Sequence, residues 1–297
     1  GQWGLSWKTR FFYTRDKYTF YDGADNPYTV YYPYDPYSSR YKETNQGVQG
    51  QVAWKRGFFS VVGGYDFLAN TYRGDYLDGV ALAGRMKLRD HAGFIMGKGA
   101  FFDDRLVLNA GMRLDSYEYR YQGDQKDHQK TTYSLGAAYD AFDWLTLKAN
   151  YGTSFKVPVG MQVMGYSGWY ANYDGNCSLR PEESRGWDLG FESAWKGLKF
   201  SAAYFQTNYR DKIVDVTLAN GHHQFQNTGG TSRLRGIEAS CSYDLGQAFD
   251  WALSLTPYVH MTHMIKADDS DGRKLPHIRT NIIAYGLRYD HPAYGLN

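Results

Sequence analysis

The chain has 297 residues, of which 18% are aromatic, including 28 Tyr and 8 Trp. Its 33 basic and 31 acidic residues balance to a net charge of +2, which argues against a nucleic-acid partner. Mean hydropathy is −0.60 and no stretch reaches the roughly 18 consecutive apolar residues of a membrane helix, so a helical membrane protein is excluded.

Segments in which apolar and polar residues alternate recur from one end of the chain to the other. Leu106, Leu108 and Met112 fall on one face of such a segment, and Asn109 and Arg113 fall on the other. A period of two predicts β-strands. The predicted strands are 2–13, 46–55, 58–71, 91–102, 105–119, 131–141, 144–156, 183–196, 198–209, 231–245, 250–264 and 278–289.

The connections alternate between short and long. Tight turns are predicted around 55–57, 103–104, 141–143, 196–197 and 246–249. Long loops are predicted at 14–44, 73–90, 119–130, 158–182, 210–229 and 266–277. This asymmetry is typical of bacterial outer-membrane barrels, whose strands also run about ten residues because they must cross a bilayer.

The sequence therefore predicts an all-β fold, the wall of an antiparallel transmembrane β-barrel. Residues with the parity of Leu106, Leu147, Leu189 and Ile237 are expected to face lipid, and Phe155 shares the face of Leu147. Residues with the parity of Asn109, Asn150, Asp188 and Glu238 are expected to face the lumen. The first and last strands are expected not to pair with each other, which leaves an open sheet or edges covered by further strands.

One ordered set of motifs resembles the TonB-dependent outer-membrane receptors. The central stretch is Asn-Tyr-Gly-Thr-Ser-Phe-Lys-Val-Pro at 150–158, followed by Gly-Asn-Cys-Ser-Leu-Arg-Pro-Glu-Glu-Ser at 175–184. Shorter pieces at 111–115, 204–213, 227–229, 235–238 and 275–277 follow the same family order. The motif residues interpreted as structural are Tyr151, Gly152, Phe155, Pro158, Asn176, Leu179, Pro181, Glu182, Gly236 and Glu238.

The resemblance implies a barrel of about 22 strands around an N-terminal plug. An inner-membrane energy-transducing complex acts on that plug to admit a scarce bulky nutrient. The segment 1–297 would then be a partial barrel domain of about twelve strands, with the plug and the C-terminal strands outside it. The expected location is the bacterial outer membrane, with membrane lipid and a small-molecule chelate as further partners. No cofactor and no enzymatic activity are expected.

Ligand contacts are expected in the aromatic extracellular loops, because outward-facing groups there can meet a solute. The candidate residues of the first and fourth long loops are Tyr28, Tyr31, Tyr32, Tyr34, Tyr37, Trp169, Tyr170 and Tyr173. An interfacial girdle with loop-on-loop packing is the alternative interpretation of these aromatics. Balanced charge and the lack of histidine at 159–178 favour cobalamin or a similar bulky neutral chelate over an anionic ferric siderophore or haem.

Signals for other chemistry are weaker. No metal site is predicted, and Asp268, Asp269 and Asp271 are weak calcium candidates because the spacing of an EF-hand loop is absent. Cys177 and Cys241 are too few for a disulfide framework, so both are expected to be free unless Cys177 pairs outside this chain. The alternative function is a self-contained twelve-strand pore or membrane enzyme, although no catalytic arrangement is evident.

Overall fold

The computed structural model describes residues 4–20, 39–76, 84–167 and 172–291. Twelve long strands form one sheet in the order β1-β2-β3-β4-β5-β6-β7-β10-β11-β14-β15-β16. These strands are β1 (Gly4–Phe20), β2 (Ser39–Arg56), β3 (Phe59–Tyr76), β4 (Gly84–Phe101), β5 (Leu106–Tyr121), β6 (Asp124–Phe142), β7 (Leu145–Lys156), β10 (Glu182–Trp195), β11 (Leu198–Arg210), β14 (Thr231–Tyr243), β15 (Ser254–Asp268) and β16 (Asn281–Asp290).

Every pair of neighbouring strands in this sheet is antiparallel. Among the described residues β1 and β16 do not pair with each other, so the sheet stays open. The predicted all-β fold, the number of strands and the unpaired terminal strands are therefore confirmed. No helix in the described ranges is long and apolar enough to cross a membrane, a result that does not bear on crossing by strands.

The strands extend further toward the long loops than the sequence predicted. The prediction of a long loop at 119–130 is wrong. Strand β5 continues to Tyr121 and β6 begins at Asp124, so only Gln122 and Gly123 lie between them. Both residues have positive φ (52° and 92°), as a two-residue hairpin turn requires. Strand structure also replaces parts of the loops expected at 14–44 and 73–90, since β1 ends at residue 20, β3 ends at 76 and β4 begins at 84.

The strand register gives the sheet an apolar face and a polar face. Leu147 lies opposite Phe191, and both side chains belong to the apolar face, which we call the outer face. Asn150 lies opposite Asp188 on the other face, and its side-chain Nδ2 donates to Asp188 Oδ1 over 2.8 Å. The outer face leaves large apolar side chains uncovered, as a wall in contact with lipid requires.

Two predicted long loops contain structure of their own. A second, four-stranded sheet has the order β12-β13-β9-β8 and joins the connection after β7 to the connection after β11. Its strands are β8 (Gly165–Ser167), β9 (Asn172–Asp174), β12 (Ile213–Thr217) and β13 (His223–Asn227), and helix α1 (Gly160–Met164) precedes β8. The long loops predicted at 158–182 and 210–229 therefore contain short strands, and the first of them also contains a helix. Likewise the tight turn expected at 246–249 is a short helix, α2 (Leu245–Phe249), capped by Asp244.

Candidate ligand-binding site

The connection after β7 folds onto the inner face of the sheet. Its residues Val163 and Met164 are buried against Met86 of β4 and against Tyr117 and Tyr121 of β5. Tyr119 completes this cluster, and Tyr72, Leu88, Phe155, Val157 and Cys177 pack around it. We call this set the inner aromatic cluster. It holds the connection against the inner face of the wall.

Phe155 lies on the face opposite to the one predicted. Its ring stacks on Tyr117 with centroids 5.9 Å apart, although it has the parity of the outer residue Leu147. The β6–β7 ladder ends at Ser134 and Gly152, and the backbone N–H of Tyr133 donates to the Thr153 hydroxyl instead. Because β7 separates from β6 beyond that point, its end can turn its odd residues inward.

Tyrosine hydroxyls on β5 bind the same connection through its backbone. Tyr119 donates to the Leu179 carbonyl over 2.9 Å, and Tyr121 donates to the Met164 carbonyl over 3.3 Å. The Tyr117 hydroxyl, in contrast, is buried without a hydrogen-bond partner among the described residues. Burial, together with the nearby carboxylate of Asp124, raises the pKa of the Cys177 thiol, which favours the protonated form at neutral pH.

Side-chain amides tie the two structured connections together. Asn227 Nδ2 donates to the carbonyls of Arg180 (2.9 Å) and Asp211 (2.6 Å), and its Oδ1 accepts the Arg180 N–H over 2.8 Å. Asn176 Nδ2 donates to the Phe225 carbonyl over 2.8 Å, and Glu182 accepts the N–H of residue 213. The two connections therefore form one unit above the lumen.

An aromatic surface lies on this unit. The Tyr173 ring stacks on Phe225 at 5.4 Å and lies 5.1 Å from the His223 ring. Asp215 accepts from the Tyr173 hydroxyl (3.1 Å) and lies 2.9 Å from His223 Nδ1, so it orients both rings. Adjacent His222 is 2.9 Å from Asp174. The two histidines thus have separate carboxylate partners.

Of the eight predicted ligand-contacting aromatics, the structure describes Tyr173 alone. Tyr28, Tyr31, Tyr32, Tyr34, Tyr37, Trp169 and Tyr170 lie outside the described residues. Sequence analysis missed Phe225 and Asp215 as neighbours of Tyr173, because the loop was expected to be irregular. The alternation of Val, Asp and Val at 214–216 was the signal for a strand there.

The three acidic calcium candidates have separate partners. Asp268 pairs with Lys266 at 3.1 Å, and Asp271 pairs with Arg273 at 3.2 Å. Asp269 accepts from the Ser232 hydroxyl and lies 3.8 Å from Lys212 Nζ. No group of three metal-ligating side chains occurs within the described ranges. The structure does not assemble these carboxylates into a cation site.

The motif residues lie mostly at contacts that shape the wall and the folded connection. Leu179 and Pro181 are buried, and Pro158 is buried just before α1. A Cβ on Gly236 would lie 2.6 Å from the His263 carbonyl oxygen and 2.8 Å from the Phe205 ring, so only glycine fits there. The equivalent space at Gly152 is open to 3.8 Å. Tyr151 is partly exposed on the outer face, and Glu238 is exposed on the inner face.

A polar site that the sequence did not identify lies lower on the inner face. Arg113 donates to Asp66 over 2.6 Å and to Asp115 over 2.8 Å. A cavity of about 450 Å³ adjoins it, also lined by Lys8 and Arg10. Asp66 lies on β3, at a position with polar-face parity, but its partner is 47 residues away, which no local pattern reveals.

Comparison with known proteins agrees with this architecture. The family model for TonB dependent receptor-like β-barrels matches residues 1–297. The chain is 27% identical over 173 residues to the vitamin B12 transporter BtuB of Vibrio cholerae serotype O1, a match that covers 57% of this chain and 24% of that protein. The chain thus spans about a quarter of the curated relative's length.

Solved structures show the same wall. The copper transporter OprC superposes with a TM-score of 0.78 at 18% identity, covering 96% of this chain and 47% of that one. The Serratia marcescens hemophore receptor HasR, solved with its hemophore HasA and heme, gives a TM-score of 0.73 at 19% identity, covering 88% and 46%. At these identities the likeness concerns the fold. With a family model that spans every residue, the chain belongs to the TonB-dependent receptor-like β-barrel family.

Proposed function

We propose that this chain supplies barrel wall and extracellular binding surface to an outer-membrane receptor that actively imports a scarce bulky nutrient. The observation that carries the proposal is the unit formed by the two structured connections, which presents the aromatic surface of Tyr173 and Phe225. Rigid aromatic faces supply large contact area at low entropic cost, which suits a large flat or macrocyclic solute.

The proposed ligand class is cobalamin or a comparable bulky chelate, with ferric siderophores as the alternative within the class. Similarity to a vitamin B12 transporter supports the first, and its limited extent leaves the second open. The resemblance further implies a plug domain and an inner-membrane energy-transducing complex, both as parts of the full-length system. An enzymatic role finds no support, since family members are transport receptors.

Uptake by cells that carry the full-length receptor tests this function. Tyr173→Ala combined with Phe225→Ala should lower uptake of one solute, in a panel of cobalamins, ferric chelates and haem, by about tenfold or more. Trp251→Ala is the matched control, because this exposed aromatic lies on a short connection at the opposite ends of the strands. Unchanged uptake of every solute by the double variant would contradict the proposed site.

The aromatics of the first and fourth loops, and the dependence of uptake on energy coupling, are tested separately. Replacing Tyr31, Tyr34 and Trp169 together by Ala should abolish uptake while the receptor still assembles, with little dependence on salt. Uptake should also stop when the inner-membrane energy-transducing complex is deleted. Continued uptake in that strain would favour the self-contained pore, which the unpaired β1 and β16 argue against.

A further inference from the structure

A histidine lies among the rings that support the connection after β7. On the inner face of β6, the His128 ring stacks on Tyr117 with centroids 5.2 Å apart and on Tyr119 with centroids 5.7 Å apart. Both tyrosines belong to the inner aromatic cluster, in which Val163 and Met164 of the connection are buried. We call His128, Tyr117 and Tyr119 the histidine stack. Its order and the docking of the connection therefore depend on each other.

One ring nitrogen of this histidine has no hydrogen-bond partner. His128 Nε2 is buried and unpaired within the described residues, as are the Tyr117 hydroxyl and Asp90 Oδ1. Strand register places these side chains in one row, because Tyr117 lies opposite Asp90 on β4 and opposite His128 on β6. An imidazolium here would bury a charged N–H donor without an acceptor, which costs far more than burying the neutral ring. The position therefore selects the neutral form of His128.

This histidine lies beyond the apolar band of the wall. On the outer face of β6, Tyr133 is an exposed aromatic residue at the edge of the band. The outer residues that follow it toward the β5–β6 turn are Thr131, Gln129 and Asp127, all of them polar. The charge of His128 is therefore governed by water and by neighbouring protein groups, and not by lipid.

The charged groups around His128 also oppose its protonation. Lys126 and Lys130 flank it on the same face of β6, and Lys130 pairs with Glu183 of β10. Burial, followed by Lys130 and Lys126, lowers the pKa of His128 below its ordinary value of about 6.5, against an opposing contribution from Asp127. The other titratable groups around the stack, on β4, β5, the start of β6 and the connection, are Asp90, Tyr117, Tyr119, Asp124 and Cys177.

We propose that His128 is a pH-sensitive switch for the docking of the connection after β7: the neutral ring completes the stack that holds the connection, and protonation releases it. The docked state binds the proton less well than the released state does. Docking is therefore at full strength above a pH of about 6.5 and weakens as the pH falls from there through the lowered pKa. The switch rests on the proposed function, because this connection carries Tyr173 of the ligand surface.

Hydrogen exchange of the full-length receptor across the range of histidine titration tests the switch. Exchange at 160–167 and 172–181 is divided by exchange in β11, since the intrinsic rate varies with pH equally in both. Between a pH of about 7.5 and a pH of about 5 the ratio should rise about threefold or more, within the tenfold per pH unit that one proton allows. A constant ratio in the wild type would overturn the proposal.

Two substitutions at the switch remove the proton site in different ways. His128→Phe keeps a ring in the stack and cannot be protonated, so the ratio should stay low at every pH. His128→Gln also cannot be protonated but loses the stacking, so the ratio should be high at every pH. A rise of wild-type size in either variant would overturn the proposal.

His222→Gln is the matched control, because it removes another imidazole from the same unit, one that lies 2.9 Å from Asp174. The rise should persist in this variant, and its loss there would assign the pH dependence to His222 and overturn the proposal. Solute uptake at the two pH values is measured separately. Because exchange needs no solute, failure of the switch and failure of the proposed function are distinguishable.

Discussion

Asn227 and Arg180 exchange two hydrogen bonds, although they are 47 residues apart in the chain: the Asn227 amide oxygen accepts the Arg180 N–H, and its Nδ2 donates to the Arg180 carbonyl. The same Nδ2 also donates to the Asp211 carbonyl. One side chain thus satisfies three backbone groups from two connections. This contact adds to the other links between the two segments, which are the hydrogen bonds of Asn176 with Phe225 and of Glu182 with Ile213 and the parallel pairing of β9 with β13.

Replacing Asn227 by Ala should therefore loosen the two connections without disturbing the wall. Three backbone groups would lose their partner, and because two of these hydrogen bonds are exposed to water the loss should cost about 1–2 kcal/mol in all. Hydrogen exchange of the full-length receptor should speed up at 172–181 and 211–217 and stay unchanged in β10 and β11. Asn220→Ala is the control, since Asn220 caps only a local turn. Equal protection in the two variants would contradict the prediction.

The tyrosine pair on β5 provides a sharper comparison. Tyr119→Phe removes the donor to the Leu179 carbonyl and should lower the local opening free energy of residues 176–180 by about 1 kcal/mol. Tyr117→Phe should be neutral or slightly stabilising, because its buried hydroxyl has no partner in the part of the chain that the structure describes. Local opening free energies from hydrogen exchange give the measurement. If both variants lose the same stability, a partner for the Tyr117 hydroxyl must exist in the full-length receptor.

Assignment of the two faces predicts opposite responses to a new charge. Leu147 is 44% exposed on the outer face, so Leu147→Arg places an unpaired charge in lipid, at a cost of about 2–4 kcal/mol at mid-depth. Asn150→Arg should be tolerated, since the side chain faces the lumen beside Asp188. The folded fraction in outer-membrane preparations, scored by resistance of the barrel to unfolding in detergent, distinguishes them. Similar folded fractions would reverse the face assignment.

A pH dependence is expected at the connection after β15. The hydroxyl of Ser232 donates to Asp269 and holds the pKa of that carboxyl below its ordinary value, with a further contribution from the Ser270 N–H and Lys212. Such a group stabilises the fold above the ordinary pKa of about 3.9, and the stabilisation is lost as the pH falls through the lowered value. Cleavage at Leu275 by an acid-stable protease should rise only in that range.

Ser232→Ala is the matched variant for this effect. Without the hydroxyl donor the pKa of Asp269 should return toward its ordinary value, so cleavage at Leu275 should begin at a higher pH than in the wild type. Lys266→Gln serves as the control, because Lys266 pairs with Asp268 and not with Asp269. An onset at the same pH in the wild type and in Ser232→Ala would show that the hydroxyl does not set this pKa.

The strands of the wall could be predicted from the sequence because the two faces of the wall meet different solvents, lipid on one side and water on the other. A strand between lipid and an aqueous lumen must alternate, so segments such as 105–115 reveal both the strand and its faces. Beyond the membrane both faces of the same strands meet water or protein, and the alternation ends. This is why Tyr121 and Lys126, which lie in strands, were assigned to a loop.

The structure of the two connections could not be predicted from local sequence patterns, for a different reason. Strands β8 and β9 have three residues each, too few for a periodic signal, and β13 pairs with β9 in parallel across some fifty residues of chain. The position of Phe155 likewise depends on where β7 leaves β6, which is a property of the neighbouring strand. The alternating sequence around Phe155 predicts the outer face, because the sequence does not show where the pairing of β6 with β7 ends.

The sequence by itself determined the fold class, the family, the twelve wall strands and most of their faces, since each of these follows from short-range alternation or from ordered motifs. Only the tertiary structure decided which residues meet above and around the wall: Tyr173 with Phe225 and Asp215, and Arg113 with Asp66. The physical reason is that alternation reports the solvent on each face of a strand, whereas a site depends on which strands and connections become neighbours.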